Sequence, residues 1–187
     1  MNPVSIWDFH ESRFSESMTN PVASLNQLTA FAAQNEFLKC CGSTRWSRTM
    51  TEARPFTDIP SLLETSEQIW WSLANEDWLE AFRAHPKIGE QRAATAQSEL
   101  AQRWSAREQA GTATAPADVK AALAEENREY ENQFGFIFIV CATGKSAEEM
   151  LALLRARLKN DLETELRVAA AEQSKITRLR LEKLLCQ

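Results

Sequence analysis

Phe134-Gly135-Phe136-Ile137-Phe138-Ile139-Val140-Cys141-Ala142 is the stretch on which the fold class turns. Its apolar part, Phe136–Ala142, is aromatic and β-branched and lies between Gly135 and Gly144, as a short buried strand would. A strand, however, needs a neighbour for its N–H and C=O groups, and no other segment of the chain reads as one. The stretch is therefore expected to run extended among helices. The chain as a whole is expected to be an all-α, single-domain bundle of about seven to nine helices.

Outward from that stretch, the sequence is rich in Ala, Leu, Glu, Gln and Arg, which favour helix. Upstream, Pro116 suits a first helical turn, and the helix it opens is expected to reach about Gln133. Downstream, Ser146 and Glu149 have capping-box spacing for a helix ending near Asn160, and Leu162–Leu185 repeats apolar residues at helical spacing. Nearer the N-terminus, Leu25, Leu28, Phe31, Ala32 and Leu38 predict one helix ending near Gly42. Ser43 opens another that stops before Pro55, and Ile59 to Leu73 marks a longer one. A short helix over Asp77–Ala84 is closed by Pro86; Ala93–Trp104 reads as helical and Gly111–Ala115 does not. Residues 1–23 have weak periodicity and are expected as a surface extension anchored by Trp7 and Phe9, with residues 24–187 forming the domain.

The chain has 187 residues, 44% hydrophobic and 25% charged, enough for one core and unlike a disordered composition. A net charge of −5, with basic and acidic residues interspersed, argues against nucleic acid and acidic membranes as partners. The longest apolar run falls far short of the roughly 20 residues that span a bilayer. With no secretory core in the polar first segment and no Ser-Lys-Leu ending, the expectation is a cytoplasmic protein. Cys40, Cys41, Cys141 and Cys186 form no C-x-x-C pair and read as reduced thiols. The two histidines, His10 and His85, have no metal-ligand spacing, so no metal site is expected. Six tryptophans, with Trp70-Trp71 reading as exposed, point to a homodimer.

Four places could carry chemistry. His85 precedes Pro86, which forces it into extended geometry at a helix-to-loop junction, a suitable post for proton transfer near neutral pH. From the residues alone, a partly buried histidine satisfied by a backbone carbonyl is the plainer reading there. Ser105, Glu108 and Gln109 offer acceptor and donor groups to a small polar ligand, or Ser105 and Glu108 simply cap a helical turn. The Phe138, Ile139, Val140, Cys141 and Ala142 run, with glycines at its ends, can bring backbone close to a ligand or serve as plain core. Arg178 and Arg180 interrupt an otherwise apolar helix face, where snorkelling to the surface is the usual outcome.

Taken in order, His85-Pro86-x-Ile88-Gly89, Ser105-x-x-Glu108-Gln109-x-Gly111 and Asn127-x-x-Tyr130-x-x-x-Phe134-Gly135-Phe136 resemble the 2-oxo-4-hydroxy-4-carboxy-5-ureidoimidazoline (OHCU) decarboxylase family. Arg157-Leu158-Lys159-Asn160, then Lys175-Ile176-x-x-x-Arg180-Leu181, continue the likeness, as do Leu25-Asn26, Cys41…Trp46 and Arg54-Pro55-Phe56 upstream. It covers roughly residues 24–185; Ile137 stands where the family commonly has proline.

The resemblance implies a cofactor-free enzyme of urate degradation that decarboxylates a small ureide to (S)-allantoin. It puts the catalytic histidine on His85 with Pro86 beside it in the pocket. Glu108 then holds His85 or the substrate, within a substrate loop of Ser105 to Gln109. The backbone cradle falls on Phe138 to Ala142. The pocket arginine falls on Arg180, with Arg178 as the rival. The alternative is a non-catalytic helical module that binds a ligand or protein through the same pocket.

Overall fold

The computed structural model describes residues 21–87, 99–108 and 115–186. Among these the chain is all helical, with no strand: α1 (Ala23–Gln27), α2 (Ala30–Cys40), α3 (Thr44–Glu52), α4 (Ile59–Ser72), α5 (Asn75–Arg83), α6 (Glu99–Glu108), α7 (Ala117–Phe134), α8 (Ala147–Arg157) and α9 (Leu162–Leu185). None of them is long and apolar enough to cross a membrane. Trp7, Phe9, Ile88, Gly89, Gln109 and the first part of the helix expected from Ala93 lie outside the described residues.

Local chemistry explains most boundaries. The side chains of Ser43, Asp58, Ser146 and Asp161 each accept a backbone N–H at the start of α3, α4, α8 and α9. Gly135 ends α7 at φ 77°, a left-handed conformation that costs other residues about 1–2 kcal/mol.

The one long helix expected from Leu25 to Gly42 is instead two. Thr29 Oγ1 accepts the Ala32 N–H at 3.2 Å, so a fresh N-terminus starts there. The new helix turns Ala33, Phe37 and Cys40 inward and leaves Phe31 77% exposed, so the apolar pattern running through Phe31 and Leu38 marked the wrong face. A capping side chain outranked periodicity. Residues 105–108 are likewise not a loop but the last turn of α6.

The 24-residue α9 is the spine, packing against α2, α4 and α5, while α7 pairs with α8. Trp46, Trp70 and Trp78 are buried, and each indole N–H finds a carbonyl: Ser66, Ala170 and Trp70 respectively. Trp70 thus belongs to the core, and only Trp71 of the pair is open to solvent, at 42%.

Residues 137–142 run extended, half-buried at Ile137 and buried from Phe138 to Ala142, with no strand beside them among the described residues. Their backbone is served by side chains instead. Arg157 Nη1 donates to the Ile139 carbonyl at 2.7 Å, Glu172 Oε2 accepts the Cys141 N–H at 2.8 Å, and Lys145 Nζ donates to the Cys141 carbonyl at 2.7 Å. Arg157 is held in turn by Glu165, which is fully buried and also accepts from Asn160 and the Tyr130 hydroxyl. The guanidinium stacks over Phe138, 4.6 Å from the ring centre.

Candidate active site

The end of α5, the last turn of α6, the extended segment and the middle of α9 converge on one cleft. α5 ends at Arg83, and the His85 N–H closes the turn onto the Phe82 carbonyl at 3.0 Å. Pro86 then directs the chain away, leaving the imidazole between two hollows. The smaller is a cleft of about 20 Å³ lined by Pro86, Ser105, Glu108, Ile176 and residues of the extended segment. The larger, about 490 Å³, is lined by Lys39, Gly42, Glu80, Arg83 and Arg180 among others. His85 lines both. Twenty cubic ångströms holds about one water molecule, so a ring-sized ligand enters the smaller cleft only if its walls part.

Gly42 matters to this placement. A Cβ there would lie 2.2 Å from the Ala84 Cβ, so only glycine lets the α2–α3 junction press against the residue that precedes His85.

Eight of the expected residues line the cleft as one group: His85, Pro86, Ser105 and Glu108 with Phe138, Ile139, Val140 and Ala142. Cys141 is also buried, with its backbone already engaged by Glu172 and Lys145. Arg180 is 2% exposed, whereas Arg178 lies in solvent paired with Glu182. Arg180 Nη2 donates to Glu108 Oε2 at 2.8 Å and to Ser105 Oγ at 2.9 Å. Lys183 Nζ, from the next turn of α9, reaches Glu108 Oε1 at 3.2 Å.

Electrostatics divide the two titratable groups. Burial works to raise the Glu108 carboxyl, but hydrogen bonds and charge from Arg180, then Lys183, overbalance it and hold the group below the ordinary range. Glu108 is therefore a carboxylate. The His85 imidazole is drawn down to about 3, first by burial and then by the Arg180 charge, against smaller opposing contributions from Glu108 and Gln173. A neutral imidazole next to a neutralised Arg–Glu pair can take a proton and hand it on. Among the described residues, no three His, Cys, Asp or Glu side chains stand where they could hold a metal ion.

Lys183, Gln173 and Thr177 were not singled out from the sequence. Their sole signal is spacing: 173, 177 and 180 fall on one face of α9, visible only once that face is known to be buried against the site. The same holds for Glu165 and Glu172, two acidic residues among many.

An all-α scaffold with a histidine, a carboxylate and an arginine gathered at a buried cleft defines a helical protein equipped for proton transfer on a small polar ligand. The model of the OHCU decarboxylase family matches residues 26–182, and the chain belongs to that family. It is 41% identical over 152 residues to the uric acid degradation bifunctional protein TTL of Arabidopsis thaliana, covering 81% of this chain and 47% of that protein. To the 2-oxo-4-hydroxy-4-carboxy-5-ureidoimidazoline decarboxylase of Haloferax volcanii it is 28% identical, over 69% of this chain and 74% of that protein. A crystal structure of OHCU decarboxylase in the presence of (S)-allantoin superposes with a TM-score of 0.71 at 39% identity, covering 82% of this chain and 99% of that one. Against the bifunctional relatives, which also include one from Bacillus sp. (strain TB-90) matched over 32% of its length, the chain spans about half their length or less.

Proposed function

We propose that the chain decarboxylates 2-oxo-4-hydroxy-4-carboxy-5-ureidoimidazoline to (S)-allantoin and CO2, without a cofactor or metal, in the cytoplasm. The observation that carries the reading is the meeting of His85, Glu108, Ser105 and the 138–142 backbone around one cleft in a member of this family.

The substrate bears its carboxylate and a hydroxyl on one ring carbon, beside a conjugated C=N. When the C–C bond to the carboxylate breaks, its electron pair forms a ring C=C bond and the C=N pair moves onto nitrogen. No pyridoxal or thiamine is needed as an electron sink. What remains is for that nitrogen to take a proton from solvent, for the hydroxyl proton to be removed, and for one to be delivered to the adjacent carbon from a single face. His85, neutral at pH 7, is the group for that exchange. Arg180 is already engaged by Glu108 and Ser105, so it does not clamp the leaving carboxylate, an interaction that would stabilise the ground state and slow the step. Glu108 keeps that arginine in place. Ser105 and Gln109 serve the substrate's polar edge, and backbone groups of Phe138 to Ala142 cradle its ring.

The test is to present freshly oxidised urate, already hydrolysed to the ureidoimidazoline, and follow its ultraviolet loss with and without protein after dialysis against chelator. Accelerated loss with growth of a circular-dichroism signal from allantoin is expected. Saturable binding without turnover would favour a binding module, and activity restored only by added metal would overturn the cofactor-free reading. We also propose a homodimer, supported by exposed Phe31 and Trp71. One subunit mass by light scattering at micromolar concentration would remove it.

A further inference from the structure

α9 turns a polar stripe inward beside Ile176, the α9 residue that lines the small cleft. Gln173, Thr177 and Arg180 are spaced to share one helix face and are all buried, Gln173 completely. An amide buried without partners is destabilising, so such a stripe needs its hydrogen bonds accounted for. Arg180 gives its protons to Glu108 and Ser105. Gln173 Nε2 donates to Thr177 Oγ1 at 3.1 Å, and the Thr177 hydroxyl bonds onward to the Cys41 thiol. These two bonds fix the plane of the carboxamide and the direction in which its oxygen faces.

That oxygen is the odd atom. Of the buried side-chain nitrogens and oxygens among the described residues, Gln173 Oε1 alone has no hydrogen-bond partner. The imidazole of His85 is the ring that the Gln173 side chain meets. The imidazole carries one N–H donor when neutral, and its tautomer is set by whatever accepts that proton.

We propose that Gln173 is a positioning residue for His85: its Oε1 accepts the N–H of one ring nitrogen, fixing tautomer and ring orientation so that the other nitrogen turns its lone pair to the cleft. A polar residue is thereby kept in the core because it aims the base. The consequence for the reaction rests on the proposed role of His85, while the hydrogen bond itself does not.

The chain has only two histidines, so the ring nitrogens can be read directly by 15N-resolved NMR of the full-length protein, with His10→Asn assigning the signals. At pH 7 the wild type should show His85 as one tautomer, with two widely separated ring-nitrogen shifts. In Gln173→Leu the shifts should converge as the tautomers interchange, and kcat should fall roughly 10- to 100-fold, part of what acid–base catalysis supplies, with KM held within about twofold. Gln173→Glu keeps the acceptor oxygen and should restore the separated shifts and most of kcat. Folded Gln173→Leu with unchanged ring shifts would overturn the proposal. If that variant does not fold, Thr177→Val, which frees the carboxamide to rotate without removing it, should give partial convergence; an unchanged spectrum there overturns it as well. Should no form of the protein decarboxylate the substrate, the proposed activity falls, and the ring shifts still decide the role of Gln173.

Discussion

His85 holds its position by backbone geometry more than by side-chain contacts: the turn after α5 and Pro86 set it, and Gly42 lets the neighbouring junction close in. Truncating the ring should therefore leave the fold intact. His85→Ala is expected to retain its far-ultraviolet helical spectrum and to lose the roughly 10²–10⁴-fold that general acid–base catalysis contributes. Protonation in solution has no preferred face, so what allantoin forms should drift toward the racemate. Optically pure product at near wild-type speed from the folded variant would remove His85 from the mechanism. The residue beside it can be tested through packing. Gly42→Ala should overpack the Ala84 contact at a cost of about 1–3 kcal/mol and shift His85 enough to lower kcat. Adding Ala84→Gly should recover both melting temperature and rate; a double variant as impaired as the single one would show that the close approach is not the cause.

At the scale of elements, the extended segment shows how a strand-like sequence lives without a sheet. Its carbonyls and N–H groups bond to side chains from the turn before α8, the end of α8, and α9. The Arg157–Glu165 pair, with N and O 2.5 Å apart and both residues buried, is the centre of that support. Removing one partner leaves a buried charge uncompensated, and Arg157→Met is expected to cost about 3–5 kcal/mol in urea denaturation. It also frees the Ile139 carbonyl, so any residual folded protein should bind substrate more weakly. Because the two residues act as a unit, Arg157→Met with Glu165→Leu should destabilise less than the sum of the single changes. Simple additivity would mean that they hold the segment independently.

For the molecule as a whole, the site makes stability depend on pH with a definite sign. His85 takes up its proton near 6.5 when unfolded and only near 3 when folded. The unfolded state thus binds more protons between those values, and stability falls as pH drops below 6.5, with no contribution above it. Glu108 is held below its ordinary value, so what it contributes is present above about 4.5 and lost below. Between pH 6.5 and 5 the loss should therefore come from His85, at about 3–5 °C of melting temperature per pH unit as an upper value. Calorimetry of the wild type and His85→Ala across that window checks it: the variant should be flat where the wild type slopes. Parallel curves would mean that the imidazole takes up its proton at the same pH in the fold as in the unfolded chain.

Nearest-neighbour chemistry was enough for the sequence to determine the helical class, the capped starts of α3 and α8, the unpartnered extended segment and the ordered motifs around His85 and Glu108. Those signals are local, a cap or a period or a Pro-fixed turn, and their physics acts within a few residues. Where two local signals competed, as at Thr29 against the apolar repeat through Phe31, the sequence offered no ranking. Tertiary structure alone decided that Arg180 and not Arg178 is buried against Glu108, and that Gln173 faces His85. Two arginines two positions apart on a helix point to different sides, and which side is inside depends on every other helix packed around α9. The same packing chose Glu165, through Arg157, and Glu172 from the chain's 26 acidic residues to hold the cleft's backbone, because there a carboxylate meets a donor that supports the 137–142 segment.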